Sequence, residues 1–346
     1  MSTPASIVDL RSDSVTKATP EMRRAMAEAL VGDDGREGDP TARRLEKLAA
    51  EMTGHEAALL CTSGTMGNLV ALMTHLKPGE EVLAERDSHV LRFEAGGVTA
   101  VVGAIPRTLP GHHGRMDLER VEAEILPGNR HRPRTALIHV ENTHNTAGGT
   151  VLPVEYLRAL WDIARAHGVL VHMDGERVFH AAVALGVPAR DLTDGCDSVM
   201  FGLSKGLCAP YGSMLCGSAA FIARARDMRQ RVGGGVRQIG HMAAAGIVAL
   251  ETMVDRLAED HAKARRLAEG IAQLRPGLVD LNLVQTNIVM LSTAPLGRPA
   301  ADVAAQFTQA GVWCLPLDRT VLRFVTHHDV SADDIEHALE VIGGNI

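Results

Sequence analysis

The chain has 346 residues, of which 46% are hydrophobic and only 3% aromatic, and it carries a net charge of −7. That length exceeds one ordinary domain and predicts a large and a small one, packed mostly by aliphatic and alanine side chains. The acidic balance and the lack of any basic run exclude a nucleic-acid surface, and the longest apolar run, 243–250 before Glu251, is too short to cross a bilayer.

From the start of the chain, Met1 to Ser6 has no basic stretch followed by an apolar one, so no signal peptide is expected. Thr19-Pro20 and Asp39-Pro40 each pair a capping residue with a first-turn proline and predict helix starts. Apolar segments at 57–61, 81–84, 98–102, 135–140, 169–173, 198–201 and 213–216 predict strands. Amphipathic segments lie between several of them, the clearest being 154–167, ended by Gly168. This alternation predicts an α/β fold with a largely parallel sheet covered by helices. An alanine-rich helical stretch begins at Ala243 and breaks near Pro276-Gly277. A strand at 287–291, a helix at 300–310, strands at 312–315 and 321–325 and a closing helix then predict a small α+β domain. The boundary is expected near 245, giving an N-terminal arm and large domain over 1–245 and a small domain over 246–346. Cysteines at 61, 196, 208, 216 and 314 are odd in number and lack metal-ligand spacing, so free thiols in a reducing compartment, the cytoplasm, are expected.

Two segments carry chemistry. Lys205 is the one charged residue between Phe201 and Ser213, and Gly202, Gly206 and Gly212 surround it. A lysine stripped of water has a nucleophilic amine, suited to a Schiff base with a carbonyl such as that of pyridoxal 5'-phosphate. Upstream, the apolar run 169–173 ends in Asp174, an acid that could keep a pyridine nitrogen protonated. A surface lysine and an N-capping aspartate are common when alone; together and in this order they favour the cofactor. Ser63-Gly64-Thr65, between a strand and a helix, is a candidate anion site, or an ordinary capping turn. A metal reading ranks lower: His172 shares a strand face with Asp174, and His139 with Glu141, but no His-Glu-x-x-His or cysteine pair supplies three ligands.

Motifs run nearly end to end: Asp9-Leu-Arg-Ser-Asp13, Gly32-Asp-Asp34, Asp39-Pro-Thr41, Ser63-Gly-Thr65, Phe93-Glu-Ala-Gly-Gly97, Glu141-Asn-Thr-His-Asn145, His172-Met-Asp-Gly175, Leu203-Ser-Lys-Gly206, Gly233-Gly-Gly-Val-Arg-Gln238 and Arg323-Phe-Val-Thr-His327. With these the chain resembles the low-specificity threonine aldolases, pyridoxal-phosphate enzymes of fold type I. The resemblance implies a mostly parallel seven-stranded sheet, and retro-aldol cleavage of small β-hydroxy amino acids to glycine and an aldehyde. It implies catalytic roles for Lys205, His89, His131 and Asp174: the covalent amine, the ring-stacking imidazole, a contact to the β-hydroxyl and the pyridinium partner. Ser63, Gly64, Thr65 and Ser204 would hold the cofactor together with Arg177, and Arg237 would reach a phosphate, in many members that of a neighbouring subunit. Ser12 and Arg323 would clamp the substrate carboxylate, with Arg177 close by, and Arg36 would line the site. A homotetramer or homodimer with shared sites is implied, with no metal, nucleic acid or membrane partner.

Four positions depart from the family's usual residues: Arg36 for a tyrosine, Glu176 for an alanine, His180 for an asparagine and Cys208 for a glycine. Arg36 and Glu176 could turn preference towards a polar or charged β-hydroxy amino acid, or simply pair with each other. Another pyridoxal-phosphate reaction, such as β-elimination or racemisation, and a catalytically silent cofactor-binding protein are the alternatives.

Overall fold

In the computed structural model, residues 7–346 are described, so the reading of Met1 to Ser6 lies outside them. Seven strands form the main sheet in the order Ala57–Cys61, Ser213–Gly217, Ser198–Gly202, Leu170–Asp174, Thr135–Glu141, Glu81–Glu85, Ile105–Leu109. Ser213–Gly217 runs antiparallel to both neighbours, and every other pair is parallel. The interior strands Thr135–Glu141, Ser198–Gly202 and Ser213–Gly217 are buried along their whole length, as strands covered by helices on both faces must be. The antiparallel pair follows from its connection. Residues 203–212 contain no helix, so the chain returns directly, and Gly202 pairs with Ser213 at the base of that loop.

One predicted strand is wrong. Segment 98–102 lies largely in a short helix, Gly97–Ala100, and the edge strand is Ile105–Leu109. Val98 and Val102 are buried while Thr99, Ala100 and Val101 are exposed, an i, i+4 spacing that suits a helical turn. The true strand reads Ile-Pro-Arg-Thr-Leu, and its Pro106 is tolerated because the strand lies at the sheet edge. The alanine-rich stretch is two helices, Gly240–Thr252 and Leu257–Leu274. Segment 312–315 also divides. Val312–Trp313 pairs in parallel with Val8–Asp9, whereas Leu315–Pro316 joins Val321–Val325 and Ile288–Ser292 in a three-stranded antiparallel sheet.

Two main hydrophobic cores result. The larger lies around the seven-stranded sheet and extends to Leu257. The other lies beneath the three-stranded sheet, against the helices Leu257–Leu274, Ala300–Gln309 and Ala332–Gly343, and takes in Val8 and Leu10 from the chain start. Residues just after Leu10 therefore pass between the two layers, beside the carboxyl ends of the parallel strands. Open α/β sheets bind ligands at such ends.

Candidate active site

Strand register sets the floor of the site. Glu141 pairs with Asp174, and Asp174 with Met200, so two strand-end carboxylates stand side by side next to the loop that carries Lys205. Asp174 is 1% exposed. Its Oδ2 accepts from Asn68 Nδ2 at 2.9 Å, and its Oδ1 accepts from the Glu176 backbone N–H at 3.0 Å. The same Asn68 Nδ2 donates to Glu94 Oε1 at 2.8 Å, and this oxygen lies 2.9 Å from His89 Nδ1. The His89 backbone N–H donates to Glu141 Oε2 at 2.6 Å. Behind this row, Asn68 Oδ1 meets His172 Nε2 at 3.1 Å, and His172 Nδ1 meets Ser198 Oγ at 2.8 Å.

The charges set the proton preferences of the floor. Burial works against protonation of His89, but the Glu94 hydrogen bond and the charges of Asp174, Glu94 and Glu141 outweigh it and raise its pKa. Burial raises the Glu94 carboxyl, and the charge of Asp174 adds to this against the bond from His89. His89, Glu94 and Asp174 also form the one grouping among the described residues whose donor atoms could close on a metal, within 4.8 Å of one another. Its donors are already engaged with each other, with Asn68 and with the backbone.

The wall opposite is cationic. Arg177 grips Asp13 through two bonds of 2.7 Å, and its Nη1 also donates to Asn145 Oδ1 at 3.3 Å. Burial raises the Asp13 carboxyl pKa, but Arg177 overrides it and holds the group well below the usual carboxylate range. Arg323 Nη1 donates to the same Asn145 oxygen at 2.9 Å, and its Nη2 to the Arg11 carbonyl at 3.3 Å. Arg323 makes no ion pair among the described residues, and its buried Nε has no partner. Burial and the nearby Arg177 push its pKa down to about 10. An uncompensated guanidinium with an orphaned N–H is suited to an incoming carboxylate. Ser12 caps the turn Asp13–Val15 at the edge of this wall, its Oγ accepting from the Ser14 backbone N–H at 3.2 Å.

The third part is a glycine-lined cradle. Ser63 caps the helix Gly64–His75 by accepting from the Met66 N–H at 3.2 Å, and the amides of Gly64 and Thr65 donate to no group among the described residues. Lys205 Nζ lies 3.2 Å from Glu176 Oε1, and the Lys205 carbonyl accepts from Thr16 Oγ1 at 2.9 Å. Ser204 adjoins Lys205 in the same loop.

Arg237, Arg36 and His131 lie apart from these groups. Arg237 donates to Asp33 at 2.7 Å, Arg36 lies 3.6 Å from the same carboxylate, and both arginine side chains are 75% exposed. The mutual pairing of Arg36 and Glu176 is therefore not formed: Arg36 turns to Asp33 and Glu176 to Lys205. His131 sits in an exposed turn held by Asn129. His180 is buried with its Nδ1 2.9 Å from His261 Nε2, and burial lowers its pKa to about 3. Cys208 is buried at a left-handed φ of +63°, a conformation that suits the glycine usual at this place. Asn68, Glu94 and Asp13 had no role assigned from the sequence. Glu94 and Asp13 lie inside motifs quoted above, while Asn68 carries no motif signal.

These residues fit pyridoxal phosphate: free helix-start amides for an anion, a buried acid beside an imidazole, a lysine, and a guanidinium for a carboxylate. Comparison with known proteins agrees. Residues 9–294 match the family model described as beta-eliminating lyase. The chain is 43% identical over 337 residues to a low-specificity L-threonine aldolase of Arabidopsis thaliana, covering 96% of this chain and 94% of that one. It is 41% identical over 331 residues to the low specificity L-threonine aldolase of Escherichia coli K12, covering 95% and 96%. The threonine aldolase of Leishmania major superposes with a TM-score of 0.82 at 18% identity, over 97% and 98% of the two chains. The chain belongs to the beta-eliminating lyase family and has the fold type I architecture of pyridoxal-phosphate enzymes.

Proposed function

We propose that this member of the family cleaves L-threonine, L-allo-threonine or a related β-hydroxy-α-amino acid to glycine and an aldehyde by breaking the Cα–Cβ bond. The observation that carries the reading is the convergence of Asp174, His89, Lys205 and the Arg177–Arg323 pair at the carboxyl ends of the parallel strands, in a chain over 40% identical to enzymes with that name. When bound, pyridoxal phosphate supplies an electron sink for the electron pair left at Cα. Lys205 and the Ser63–Thr65 turn, with Ser204, would hold it in place. Asp174, fixed by Asn68 and the Glu176 N–H, would keep a proton on the pyridine nitrogen. Arg323 and Arg177, with Ser12, would bind the substrate carboxylate, and fixing it would select which bond at Cα is cleaved. His89, with Nδ1 committed to Glu94, has Nε2 left to accept the β-hydroxyl proton. His131 is the second candidate for that proton.

The exposed Arg36 and Arg237 support a homotetramer or homodimer in which a neighbour's site is completed from this surface. Five buried, unpaired cysteines support a reducing compartment, the cytoplasm. The two cores support a large and a small domain, the first strand crossing to the small one; the boundary is proposed near 245, and the larger core runs past it to Leu257. The test is product analysis on L-threonine, L-allo-threonine and larger β-hydroxy amino acids with the cofactor-loaded protein. Glycine and aldehyde are expected; a keto acid and ammonia would establish β-elimination instead, the reaction that the family model's description names.

A further inference from the structure

At Glu176 the chain places a carboxylate of its own in the cradle. The backbone there is fixed on both sides: its N–H donates to Asp174 Oδ1 at 3.0 Å, and its carbonyl accepts from the Gly202 N–H at 3.3 Å. From that anchor the side chain runs back over the strand end. Oε1 reaches Lys205 Nζ at 3.2 Å, and the two oxygens lie so close to Gly64 and Gly202 that a methyl group on either glycine would collide with them. Gly64 opens the helix Gly64–His75, where its own amide and that of Thr65 have no partner among the described residues. The Glu176 side chain is only 16% exposed. A carboxylate in that position is favoured by the helix end and by the lysine ammonium, the same two features that would favour a phosphate.

We propose that Glu176 is a built-in occupant of the phosphate cradle, so that cofactor phosphate binds in competition with this side chain and Glu176 sets the chain's cofactor affinity. The inference rests on the reading that the cofactor's phosphate docks at Ser63–Thr65. Two anions cannot share one helix end at close range without strong repulsion, which is weakly screened in a cleft. Loading therefore requires the Glu176 carboxylate to withdraw from Gly64 and to release Lys205. The small alanine usual at this position in the resembling family would present no such competitor.

The test is the affinity of the full chain for two probes, inorganic phosphate and pyridoxal phosphate, in the wild type, Glu176→Ala and Glu176→Gln. Both variants are expected to bind both probes more tightly, by about tenfold. The glutamine variant keeps the side-chain size and so isolates the charge, and thermal melting checks that each variant is folded. Unchanged or weaker binding of inorganic phosphate by both folded variants would overturn the proposal. A wild-type chain that binds inorganic phosphate but never pyridoxal phosphate would defeat the functional reading, while the variants would still decide the competition.

Discussion

The floor around Asp174 and the cradle around Lys205 adjoin, yet they are built on opposite principles. In the floor the carboxylates are held within the chain: Asn68 alone links Asp174, Glu94 and His172. In the cradle the lining is glycine and free amide, and the one strong contact, Lys205 with Glu176, joins two side chains with long flexible stems. Bonds meant to stay fixed sit where water cannot compete for them, and groups that must change partners are left exchangeable. The comparison predicts that substitutions in the floor disturb proton affinities and stability together, while those in the cradle act on ligand binding and chemistry alone.

The largest effect should come from the cradle. Lys205→Ala is expected to remove activity by about a thousandfold or more and to abolish the absorbance of bound cofactor, with melting nearly unchanged. Retention of both signals would break the assignment. Asp174→Asn comes next: it should lower kcat by about a hundredfold, and it should also lower the melting temperature, because the new amide nitrogen must face one of the two donors, Asn68 Nδ2 or the Glu176 N–H, that now meet carboxylate oxygens. A third test sharpens the role of the floor. Because Glu94, Asp174 and Glu141 make His89 hold its proton to a higher pH than a free imidazole, the rising limb of kcat/KM against pH should lie above about pH 6.5. Glu94→Gln should move that limb to lower pH and reduce the rate about tenfold; an unmoved limb would separate Glu94 from the proton transfer. The smallest effect on the fold should come at the exposed rim. Arg237→Ala should leave the melting curve almost unchanged, and a loss of cofactor affinity in the same variant would assign this arginine to a neighbouring subunit's site.

Much of this arrangement was legible because the chemistry-bearing residues end strands. Lys205 and Asp174 follow apolar runs, and Ser63 and Asp39 are recognisable caps, features that local sequence carries. What stayed hidden depends on pairs far apart in the chain. The Arg177–Asp13 grip spans 164 positions, and the Asn68–Asp174 bond spans 106. The strand Val8–Asp9 is two residues long and owes its place to Val312–Trp313, so no periodicity could reveal it. Segment 98–102 misled because five small or β-branched residues suit a strand locally, while burial of Val98 and Val102 selects a turn of helix. The Glu176–Lys205 contact could be suspected only as a departure from a usual alanine, since its geometry depends on two glycines, Gly64 and Gly202, from different elements.

The pairing of Gly202 with Ser213 has a mechanical consequence for Lys205. The loop leaves and re-enters the sheet at one rung, and Thr16 pins the lysine carbonyl from a third direction. The main chain is thus a fixed mount, and the amine travels only by turning its own four-carbon stem. Each time it lets go of a partner it stays within a short, constant radius of the place it left. Return is then a local rotation rather than a search, and the loop never has to open for the lysine to change hands.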